Sequence, residues 1–89
     1  MPSTKTFKQS KQALQIAERI KPLLAGLSAE VQGAALADLL SLFLAGHLAD
    51  TPEATRRLRD EILELHIQAV RNLLPANEKM ILARLKRQS

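Results

Sequence analysis

Nineteen residues in the middle of this chain, Val31 to Ala49 (VQGAALADLLSLFLAGHLA), are apolar around most of a helix. A chain of 89 residues buries somewhat more than ~60% of its unfolded surface and has little interior in which to hide such a segment. The segment therefore predicts a buried central helix that neighbouring elements, and a second chain, help to cover. The remaining core must come from Leu, Ile, Val and Ala, because the aromatic residues are Phe7 and Phe43 alone. That composition suits packed helices better than sheets. A membrane reading is disfavoured. Asp38 would sit mid-bilayer at roughly 2.5–3.5 kcal/mol, and the flanks are Glu30 and Asp50 rather than basic or aromatic anchors.

Punctuation divides the chain into four expected helical segments within one domain, 1–89. The ends, 1–3 and 88–89, are expected to be flexible. Segment one spans about Thr4 to Ala25, with Ala13, Leu14, Ile16, Ala17, Ile20, Leu23 and Leu24 on one side. Pro22 should kink or break it, and Gly26 should stop it. Segment two starts at Ser28, an N-cap, with Glu30 favourable in the first turn. Segment three opens on Thr51-Pro52-Glu53, which is a cap, a proline at the first helical position and an acid.

Segment three carries two apolar stripes about 120° apart on a helix of 100° per residue. One is Leu58, Ile62, Leu65, Ala69 and Leu73; the other is Leu63, Ile67, Val70 and Leu74. Such an arc can touch two neighbours. The outer face holds Arg57, Asp60, Glu61, Glu64, Gln68 and Arg71, a solvated pattern of ion pairs. Pro75 is expected to end the segment, and Asn77 to cap a short fourth helix reaching about Arg87. The expected fold is an all-α four-helix bundle, three long helices and a short one, paired as a homodimer. Val31, Leu36, Leu40, Phe43 and Leu44 are the expected interface.

Net charge is +4, and the charge is uneven. Lys5, Lys8, Lys11, Arg19 and Lys21 crowd the first segment, and Lys79, Arg84, Lys86 and Arg87 the last, whereas residues 22–50 hold only acids. Basic ends are compatible with an anionic partner, although small basic faces are commonly just solvated. Segments three and four superficially resemble a helix, turn and basic helix. On that basis the four C-terminal cations are candidate nucleic-acid contacts, but few side chains there suit base edges and no aromatic could stack on single strands.

No site chemistry emerges. The absence of cysteine removes disulfides, thiolate metal sites and cysteine nucleophiles. His66 falls within the apolar arc of segment three. Counting back through a hairpin at Asp50–Thr51 places it level with Ala35, within a turn of Asp38; the expectation is a buried polar pair. The same count sets His47 near Ala54, remote from His66. No second His or carboxylate stands three or four residues on from His66. The acids Asp60, Glu61 and Glu64 lie among arginines, not in a cleft. No cofactor or catalytic role is expected. The leader-like features of the N-terminus are weak: it has no apolar run, and its basic residues are all Lys before Arg19. The chain reads as a small cytoplasmic interaction module, with a basic dimeric nucleic-acid binder as the alternative.

Overall fold

The computed structural model describes residues 9–88, which form three α-helices and no strand: α1 (Lys11–Leu24), α2 (Ala29–Ala45) and α3 (Pro52–Gln88). Residues 1–3 and 89, where flexibility was expected, lie outside the described residues; Gln88 closes α3.

Local chemistry explains the boundaries. Ser10 caps α1, its Oγ accepting the Ala13 N–H at 3.1 Å, so within the described residues the helix starts later than the apolar pattern implies. Pro22 does not break α1, which continues to Leu24. The proline offers no N–H to the Glu18 carbonyl four residues back, and α1 ends two residues later. Gly26 then takes a φ of 81°, a left-handed conformation that glycine adopts without strain, and turns the chain. Ser28 accepts the Val31 N–H at 3.2 Å to start α2, and Thr51 accepts the Ala54 N–H at 3.0 Å to start α3. Those two caps stand where the sequence places them.

The fourth helix is not a separate element. α3 runs 37 residues through Pro75, about 55 Å at 1.5 Å per residue, and this matches the 55 Å long axis of the molecule. Pro75 withdraws one donor from the ladder. The apolar positions on either side of it nevertheless stay in helical phase, so one continuous face can be packed across it. That face comprises Thr55, Ile62, His66, Ala69, Leu73 and Met80, each buried or half-buried. The expected turn between segments three and four is absent, and with it the helix-turn-helix resemblance.

α2 packs against the first half of α3. Arg84 of α3 exerts a weak electrostatic pull on Glu18 of α1. Gln32 joins the two shorter helices by donating from Nε2 to the Leu24 carbonyl at 2.7 Å. The result is an open arrangement along a spine rather than a closed bundle: among the described residues only Ala69 and Thr55 are buried.

The α2–α3 connection is anchored by two residues of α3. Thr55 Oγ1 accepts the Ala49 N–H at 3.0 Å and donates to the Ala49 carbonyl at 3.4 Å. Arg59 spreads its guanidinium over the end of α2: Nε donates to the Leu44 and His47 carbonyls, both at 3.1 Å, and Nη2 to Ala45 at 2.9 Å. A cation on unpaired C-terminal carbonyls is favoured by both hydrogen bonding and the helix dipole. Arg59→Ala should cost on the order of 1.5–3 kcal/mol, as loss of charged hydrogen bonds does. Urea unfolding followed by helical circular dichroism measures it, with Arg59→Lys expected to fall between the two.

Candidate interaction surface

Arg59 also sets how α2 and α3 meet. Because Thr55 and Arg59 hold the connector back along α3, the end of α2 lies beside the second turn of α3 rather than at its first residue. Gly46 follows α2, which stops at Ala45, short of the expected Ala49. Both effects slide the helices, and His66 faces Phe43 instead of Ala35. The Phe43 ring takes the His47 imidazole edge-on at 4.7 Å and that of His66 at 5.1 Å between centroids. The two histidines, expected far apart, thus share one aromatic neighbour, with approximately T-shaped geometry on both sides. His47 Nδ1 lies 2.8 Å from the Phe43 carbonyl, and His66 Nδ1 lies 3.4 Å from that of Ile62.

Asp38 is exposed, not buried, and so is Ser41. They belong to the outer side of α2, because the shifted register turns Leu40, Leu44 and His47 toward α3. His66 is half-buried, as its place on the packed face of α3 implies. Among the described residues no three His, Asp or Glu side chains gather in a way that could hold a metal ion.

The five residues expected at an interface separate. Leu40 and Leu44 are half-buried against α3, with Leu40 beside His66, Ile67 and Val70. Phe43 remains 42% exposed, and Val31 and Leu36 are each 51% exposed. Leu39 and Leu42, not singled out from the sequence, widen the apolar surface of α2. The molecule's accessible surface is 7880 Å², whereas a compact monomer of its mass would expose about 5200 Å².

The basic positions Lys79, Arg84, Lys86 and Arg87 are exposed along the last turns of α3. Lys79 and Lys86 flank a shallow depression floored by Leu82 and Leu85. Arg84 faces α1, where Lys21 bonds Glu18 at 2.7 Å. That hydrogen bond, the Lys21 charge and, more weakly, Arg84 hold the Glu18 carboxyl below the ordinary range, against slight desolvation. A carboxyl pKa lowered by folding adds stability at neutral pH, and the contribution disappears as acid protonates Glu18. No helix among the described residues is long and apolar enough to cross a membrane.

Two substitutions separate packing from surface. Phe43→Ala should destabilise the chain by about 1.5–2.5 kcal/mol, roughly half the loss for a fully buried Phe, because only part of its ring is covered. Leu42→Lys, at a position 69% exposed, should change monomer stability by less than about 0.5 kcal/mol. Thermal unfolding at micromolar concentration checks both. Comparison of the chain with protein-family models, curated proteins and solved structures gave no match.

Proposed function

We propose that this chain is a small helical protein–protein interaction module of the cytoplasm that acts by self-association and carries no catalytic chemistry. One observation carries the reading: Val31, Leu36, Leu39 and Leu42 on α2 and Val70, Leu74, Ile81 and Leu85 on α3 are each at least half exposed. Apolar surface in that amount on a small chain marks an interface, and a closed two-fold dimer is the commonest way to cover it.

The alternative is a basic nucleic-acid-binding dimer using Lys79, Arg84, Lys86 and Arg87. Their joint exposure on one helical end favours it. Phosphate contacts of this kind weaken steeply as salt rises.

Light scattering coupled to size exclusion tests the first reading. A mass of twice 9.8 kDa is expected, and a monomer at all concentrations up to about 100 µM would overturn self-association. For the alternative, duplex DNA binding should fall at least tenfold between about 50 and 200 mM salt and be lost on combining Lys86→Glu with Arg87→Glu. Absence of binding at low salt rejects it.

A further inference from the structure

α2 packs on one face of α3. A second face, about 120° round the helix, is half-buried at Leu63 and Ile67, where Ile67 and Val70 adjoin Leu40 of α2, and exposed from Val70 onward. This second face reads Leu63, Ile67, Val70, Leu74, Glu78, Ile81, Leu85, with successive intervals of 4, 3, 4, 4, 3 and 4 residues. An eleven-residue repeat of this kind is close to the natural helical period, so the stripe stays on one side instead of winding away. It extends about 33 Å at 1.5 Å per residue and crosses Pro75 unbroken. Val70 and Leu74 are each 60% exposed, Ile81 53% and Leu85 56%.

The spacing is symmetric about Leu74, and the residues match at every position but one pair. Four residues either side stand Val70 and Glu78, seven residues either side two isoleucines, and eleven residues either side two leucines. A two-fold interface brings one patch against itself, and a patch whose spacing is the same in both directions, with matching Ile and Leu pairs, fits that requirement when the helices run antiparallel.

We infer that two copies of this chain pair antiparallel along this stripe, with Leu74 at the two-fold axis. Leu63 then meets Leu85 of the second copy, and Ile67 meets Ile81. The inference rests on the self-association proposed above and specifies the surface and direction.

Charge decides the direction. In antiparallel pairing the same flank of each helix faces its counterpart. Glu78, the one acid in the stripe, comes level with Arg71 of the second copy, about 20° round the helix, and symmetry makes two such pairs. Along the axis the turn of Asp60, Glu61 and Glu64 comes level with the turn carrying Lys86 and Arg87, of which Lys86 and Glu61 share a flank. Parallel pairing would instead set Glu78 beside Glu78 and each charged turn beside its own kind. Complementary charges fix register, and like charges exclude alternatives.

Disulfide trapping of the full chain tests the geometry, because the natural sequence contains no cysteine. Under mild oxidation the Leu74→Cys variant should cross-link to itself. The Leu63→Cys variant should not, since its two copies would lie about 33 Å apart along the axis, but mixed with Leu85→Cys it should form the heterodimer. Arg71→Glu should weaken the dimer at least tenfold, and adding Glu78→Arg should restore it to within about threefold. Self-linking of the Leu63→Cys variant, or a dimeric mass with no link at Leu74→Cys, overturns the pairing and leaves self-association standing. A monomeric wild-type chain overturns both.

Discussion

An α-helix turns by a fixed angle at each residue, and α3 keeps that phase through Pro75. Everything else in the molecule depends on it. With the phase kept, Leu73 and Met80 continue the face that begins at Thr55 and Ile62, so α3 presents one packed face along its length. Had the helix broken at Pro75, the last turns would have been free to swing away from that face.

The second constraint is polar. Apolar contact between α2 and α3 is modest and does not by itself define a register, because leucine faces slide past one another at little cost. Arg59 and Thr55 remove that freedom by binding particular carbonyls and one amide of the connector. Hydrogen bonds supply the alignment and hydrophobic burial the attraction. The placement of Phe43 between His47 and His66 follows from the alignment.

What the sequence made legible was local. Ser28 and Thr51 announce their caps, Gly26 its turn, and the two stripes of α3 their separate faces, because each depends on spacing within a few residues. The long-range features were less legible. Pro75 looked like an end because the cost of one missing hydrogen bond was weighed without the packing that spans it. Reading α3 as two pieces also hid the symmetric stripe, which needs Ile81 and Leu85 in phase with Leu63 and Ile67. Arg59 and Thr55 stood out as polar residues on an apolar side, but the sequence did not show that they grip the connector. Asp38 and His66 were paired by a hairpin count that presumed a tight turn where the chain has a six-residue connection from Gly46 to Thr51.

The linear arrangement also bears on how the molecule comes apart. α2 docks on α3, and the hydrogen bond from Gln32 to the Leu24 carbonyl ties α1 to α2. α1, which makes few contacts with α3, can loosen while α2 stays in place. Opening then proceeds in separate units rather than as one event. Amide protons of α1, which contains no buried residue, are expected to exchange with solvent ahead of those around Ala69, which is buried.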